Sequence, residues 1–226
     1  IKGDATLFQR ADMVEMGWTG IAIPEAFGGL GYGYTGLGLV LEQAGRNLSA
    51  SPLQSTVLVS ATVIGELGSA QQKEQLLGAI AAGEQLVSLA LQEGSHHTPL
   101  HTVLRATLEA DHYVLNGTKV LVLDASAAHT FIVIARTAGE PPEERGLSAF
   151  LVDAATPGLT VERRSLVDSR NAGALVLEDC RVSATNLLGA PGEAWGGLSR
   201  ALDIANIGMA AELLGLIAFA VAMIIL

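Results

Sequence analysis

The spacing of apolar positions changes twice along the chain. Apolar residues recur at helical spacing up to residue 85, alternate over 86–189, and return to helical spacing from Ala194. In the first stretch, Ala5–Met16 predicts a short helix ended near Gly17. Thr35–Ala44 places Leu37, Val40, Leu41 and Ala44 on one helical face, and Ser55–Leu67 predicts a second apolar helix. Ser69 fits as the N-cap of a third, Ala70–Ala82, with Gln72 in a capping-box position and Gly83 as the stop. Between the first two helices, Ile21–Glu25 and Phe27–Gly31 form a Gly-rich, turn-forming segment.

The middle stretch predicts strands at Val87–Leu91, Val103–Leu108, Tyr113–Leu115, Val120–Leu123, Phe131–Ala135, Ser148–Val152, Leu159–Arg163 and Ala174–Leu177. Asn116-Gly117 predicts a type I′ hairpin, because both residues tolerate positive φ. Short strands at this spacing predict a compact antiparallel barrel or sandwich. The fold class is therefore α+β, with segregated elements. The expected domains are an N-terminal helical domain over 1–85, a middle β-domain over 86–190 and the beginning of a helical bundle over 191–226.

Composition narrows the function. Net charge is −10, and no Lys/Arg cluster exceeds a pair such as Arg163-Arg164, which argues against a nucleic-acid surface. Backbone amides and a few Arg residues can still hold an anionic ligand. Cys180 is the sole cysteine, which excludes an intrachain disulfide and fits a reducing, cytoplasmic setting. The N-terminus lacks the continuous apolar core of a signal peptide. Leu213–Leu226 is uncharged over 14 residues, short of the ~20 a membrane span requires. It is expected to be a buried bundle helix, with a tail anchor as the alternative.

Gly17-Trp18-Thr19-Gly20, Ile23-Pro24-Glu25 and Gly28-Gly29-Leu30-Gly31 resemble the N-terminal signature of the acyl-CoA dehydrogenase family. Ala90-Leu91-Gln92-Glu93, Leu115-Asn116-Gly117-Thr118-Lys119 and Ile134-Ala135-Arg136-Thr137 match its middle-domain loop, "LNG-x-K" stretch and "A-R-T" strand. Asp179-Cys180-Arg181-Val182 with Asn186-Leu187-Leu188-Gly189, and then Ala201-Leu202-Asp203, follow in family order. Leu89–Glu93, Val122-Leu123-Asp124 and Val167-Asp168-x-Arg170-Asn171-Ala172 resemble a bacterial branch. That branch holds small subunits of heteromeric dehydrogenases acting on dicarboxylyl-CoA esters such as pimeloyl-CoA, or on steroid side-chain CoA esters.

The resemblance implies a middle antiparallel β-barrel and an FAD-dependent oxidoreductase of fatty acid metabolism. Such an enzyme dehydrogenates an acyl-CoA thioester between Cα and Cβ. The flavin is the hydride acceptor, and a carboxylate in an apolar pocket removes the α-proton. Electrons pass to an electron-transferring flavoprotein, with oxygen the acceptor in related oxidases. A homo- or hetero-oligomer is expected, without nucleic acid or membrane partners. The family's base lies in a final helical domain, so no catalytic residue is assigned in this sequence, and the chain is expected to lack most of that domain.

The resemblance also assigns site residues. Leu91, Gln92 and Glu93 would meet the flavin's pyrimidine edge through backbone amides and one side-chain hydrogen bond; the alternative is a polar loop. Val122 and Leu123 would offer backbone contacts from a second flavin strand. Leu121 and Leu123 occupy that strand's usual Trp and Thr positions, and a plain strand is the alternative. Ser95, Leu202 and Asp203 would border the acyl-CoA. Asp203 is equally explained by the helix dipole, and Asn206 stands where the family carries Arg. Asp168 and Arg170 are expected to form a solvated ion pair. Ser95, His96, His97 and His101 read as a solvated loop rather than a metal site. Leu121, Leu123 and Asn206 together support an alternative, a non-catalytic subunit that shapes the FAD/acyl-CoA site of a heteromer. A third reading is a membrane-tethered binding module using Leu213–Leu226.

Overall fold

A computed structural model of the chain describes residues 11–167 and 170–225. The chain divides into two compact units. Among the described residues, one contains 11–65, 70–85 and 200–225, and the other 66–69 and 86–199.

The first unit is helical. Residues 11–15 form α1, which stops before Gly17; the preceding part of the helix expected from Ala5 lies outside the described residues. Two short 3-10 turns, Trp18–Gly20 and Glu25–Phe27, shape the Gly-rich segment. α2 spans Gly33–Arg46 and buries Leu37, Leu41 and Ala44, as their spacing requires. The apolar run after Pro52 is wound as a π-helix over Leu53–Ser60, then tightens into α3, Ala61–Leu67. α4 covers Ala70–Ala81.

α5, Trp195–Ile225, is one continuous helix of 31 residues, and its part from Arg200 on belongs to this unit. It meets α2 at backbone contact distance. A β-carbon on Gly45 would lie 2.0 Å from Glu212 O, and one on Gly215 would lie 1.8 Å from Glu42 O. Only glycine permits so close a crossing. Gln54 donates from Nε2 to the Glu212 carboxylate beside it. Beyond Glu212, Leu213, Leu214, Ile217, Val221, Met223 and Ile224 are exposed, whereas burial was expected for this tail. Among the described residues α5 is the one helix long and apolar enough to cross a membrane, by length and composition only.

The second unit is built on eight strands: β1 Val87–Ala90, β2 Arg105–Glu109, β3 His112–Leu123, β4 Thr130–Arg136, β5 Leu147–Asp153, β6 Leu159–Ser165, β7 Asn171–Ser183 and β8 Leu187–Leu188. The hydrogen-bonded order is β6-β7-β3-β2-β4-β5-β8, with β1 on β4. The sheet is mixed rather than wholly antiparallel, because β1 and β4 run parallel, and so do β2 and β4 at Arg105↔Arg136. Inward-facing Leu115, Val122, Phe131, Val133, Phe150, Leu175 and Cys180 form its core.

Asn116-Gly117 does not reverse the chain. The β2–β3 hairpin turns at Ala110-Asp111, with Glu109 paired to His112. Asn116 and Gly117 lie inside β3, where β7 carries one extra residue: Leu115 pairs with Cys180 but Gly117 with Leu177. Asn116 closes this bulge with its side chain, accepting from Asp179 N (2.8 Å) and donating to Asp179 Oδ1 (3.2 Å). Gly117 takes φ 144°, which favours glycine, and a β-carbon there would also press on Leu104 at 3.0 Å. The dipeptide's tolerance of unusual φ was legible; its use in a bulge depends on a strand sixty residues away.

Candidate functional site

The loop after β1 carries the first predicted site residues, and β3 fixes it. Leu91 is buried, while Gln92 and Glu93 are half-buried. Lys119, midway along β3, is fully buried with a side-chain exposure of 0%. Its ammonium donates to Leu91 O (3.0 Å) and to Glu93 Oε1 (2.6 Å). The neighbouring Val120 N donates to Gln92 O (2.7 Å). Two consecutive loop carbonyls are thus held by two consecutive residues of β3.

Glu93 faces inward. Beside Lys119, its carboxylate accepts from Val103 N (2.7 Å) and Leu104 N (3.1 Å), leaving the side chain 15% exposed. It therefore ties the start of the 94–102 loop to its end. The Gln92 side chain is also spent on the loop, donating from Nε2 to Gly94 O (3.0 Å) and to His96 O. The compact 94–98 turn brings both carbonyls within its reach. Ser95, His96, His97 and His101 are exposed, and Ser95 Oγ lies 3.1 Å from His96 Nδ1. Among the described residues no group of His, Cys, Asp and Glu is arranged to hold a metal.

A second buried cation holds the far end of the same loop. Arg136, at the end of β4, donates from Nε to Thr102 O (3.1 Å) and from Nη2 to Leu100 O (3.0 Å). Nη1 reaches Arg145 O (3.1 Å), and Nη2 also reaches Glu143 O (3.1 Å). In the sequence Lys119 and Arg136 stand only as motif positions, with no chemistry assigned to them. A charged residue within or closing an apolar strand was the available signal, since such a group is buried only when fully bonded.

The second predicted segment forms a bulge beside this loop. Lys119 pairs with Leu175 but Val122 with Gly173, so β3 carries one extra residue there. Leu121 takes the strain at φ 52° and stands 50% exposed. A bulge with a left-handed non-glycine residue re-aims its side chain at a cost of order 1 kcal/mol. Val122 is buried, and Leu123 O accepts from the Ser88 hydroxyl. Asp124 adopts φ 53° and donates from N to Asn171 O (2.8 Å).

The structure therefore brings Leu91, Gln92, Glu93, Val122 and Leu123 together around β3, with Ser95 on the attached loop. Leu202 and Asp203 lie on α5 in the helical unit, half-buried and exposed respectively. Asp168 lies outside the described residues, so its pairing with Arg170 does too. Cys180 is buried in β7, where desolvation pushes its thiol pKa up, as suits a core residue rather than a nucleophile.

Known proteins share this fold. Residues 5–84 match the model for the acyl-CoA dehydrogenase N-terminal domain, and residues 91–180 match that for its middle domain. This chain belongs to the acyl-CoA dehydrogenase family. It is 34% identical over 212 residues to the acryloyl-CoA reductase (NADH) of Anaerotignum propionicum, covering 90% of this chain and 53% of that protein. The butyryl-CoA dehydrogenase structure from Megasphaera elsdenii superimposes with a TM-score of 0.85 at 28% identity, covering 94% of this chain and 58% of that one. A variant of the Tcur3481-Tcur3483 steroid ACAD gives a TM-score of 0.80 at 32% identity, covering 95% and 55%. The chain spans about half the length of the curated relatives it matches.

Proposed function

We propose that the chain provides the N-terminal and middle domains of an FAD-dependent acyl-CoA dehydrogenase, acting between Cα and Cβ of an acyl-CoA thioester. The observation that carries this reading is the loop fixed by β3. With Leu91 O and Gln92 O both engaged, the planar trans peptide turns the N–H groups of Gln92 and Glu93 away from those partners. Paired amides of this kind suit the carbonyl-rich edge of an isoalloxazine or an anion. Beside them the bulge presents the exposed, apolar Leu121.

These residues fit a flavin. Leu91–Glu93 would hold its polar edge through the backbone, and Val122–Leu123 would border it. FAD, when bound, would supply the hydride acceptor. The chain's own residues bind and orient: buried Lys119 and Arg136 keep the loop fixed, and Leu121 offers apolar surface. Ser95, Leu202 and Asp203 would contact acyl-CoA. The electron acceptor would be an electron-transferring flavoprotein, in an oligomeric enzyme of the cytoplasm.

One observation favours a second reading, a subunit shaping the FAD/acyl-CoA site of a heteromer. Leu121 and Leu123 offer neither indole nor hydroxyl at the flavin strand. The visible spectrum of the full-length protein, purified alone and with the product of a neighbouring gene, separates the two. Flavin bands in the lone protein support the self-sufficient enzyme. Bands confined to the co-purified complex support the heteromer, and none in either rejects both.

A further inference from the structure

We propose that Lys119 and Glu93 act as one positioning unit for flavin binding, a role that rests on the flavoprotein reading above. Neither side chain is directed at a ligand. Lys119 is fully buried, and Glu93 is engaged by an ammonium and two backbone amides. What the pair controls is the direction of the peptide groups at Leu91, Gln92 and Glu93. Lys119 fixes Leu91 O, Val120 fixes Gln92 O, and Glu93 fixes the return of the loop at Val103-Leu104.

The energetics point the same way. Burying a charged pair usually gives no more stability than apolar side chains of similar volume. Desolvation pushes the Lys119 pKa down from 10.5 to about 8, although the Glu93 carboxylate opposes the fall. The protonated amine is thus disfavoured inside the fold even with its partner present. A methionine would fill the same space without that penalty, but it could not donate to Leu91 O. The pair is explained by what it orients, not by the stability it gives.

The test compares full-length wild type with Lys119→Met, Glu93→Gln and the double variant. FAD affinity is read by flavin fluorescence quenching, the bound flavin by the shape of its visible bands, and the apoprotein by urea unfolding. Each single variant is expected to bind FAD at least tenfold more weakly, with altered band structure. The double variant should be little weaker than either single one, because the residues act together. Urea unfolding should show each apoprotein still folded under the binding conditions, so that the lost affinity reports misplaced amides rather than unfolding.

Folded variants that bind FAD within twofold of wild type overturn the positioning role and leave the flavoprotein reading intact. Failure of wild type to bind FAD overturns both. If the variants do not fold, hydrogen exchange on wild type decides. FAD is expected to slow exchange of the amides at residues 92 and 93 at least tenfold, and unchanged rates overturn the proposal.

Discussion

Lys119 makes stability depend on alkaline pH in a direction that can be calculated. Its pKa falls from 10.5 to about 8 on folding, mainly through desolvation. Each pKa unit corresponds to ~1.4 kcal/mol, so the shift amounts to about 3 kcal/mol. Between pH 8 and 10.5 the unfolded chain keeps this proton and the folded chain releases it. Raising the pH through that window therefore favours the folded state. The penalty is fully present below pH 8 and relieved above 10.5. Urea unfolding of wild type and Lys119→Met at pH 7, 8.5, 9.5 and 10.5 isolates the effect, because other titrating groups are common to both. The stability of wild type relative to the variant should rise by roughly 2–3 kcal/mol across the series. With a slope of ~2–3 kcal/mol per molar urea, that is a midpoint shift of about 1 M. A difference that stays flat, or falls, refutes a buried, costly ammonium.

Three further outcomes follow from packing and hydrogen bonding. Arg136→Met should lose about 2–4 kcal/mol in chemical denaturation, because four carbonyls lose their donor, that of Thr102 buried and that of Leu100 half-buried. Gly45→Ala should cost about 1–3 kcal/mol by thermal unfolding, since its β-carbon would collide with the α5 backbone at Glu212. Asn116→Ala should cost about 1–2 kcal/mol. Combining it with Asp179→Ala should remove the side-chain bond once only, as a double-mutant cycle would show.

Helix positions were legible because Leu37, Leu41 and Ala44 follow a local period that burial on one side enforces. Strand positions were legible for the same reason, and β4 and β5 lie within two residues of their expected bounds. What could not be read were features settled by distant partners. Asn116-Gly117 satisfies a hairpin's backbone requirements, yet Asp179 on β7 makes it a bulge. The parallel contact of β1 with β4 reflects pairing across forty residues, which alternation alone does not encode. At the candidate site, the family wording picked out Leu91–Glu93 and Val122–Leu123 but not the bonds each atom makes. Gln92 bonds to its own loop because that loop supplies two carbonyls. Glu93 turned inward because Lys119, read only as a motif letter, lies beneath it.

The loop is proposed to serve a flavin that oxidises acyl-CoA. The most direct test is anaerobic titration of the full-length, FAD-loaded protein, with its heteromeric partner if one is required, against acyl-CoA thioesters of graded chain length, followed at the flavin's visible absorbance. The loop geometry and family membership predict bleaching by at least one thioester, with the corresponding enoyl-CoA as product. Bound FAD that no thioester bleaches would contradict the assignment.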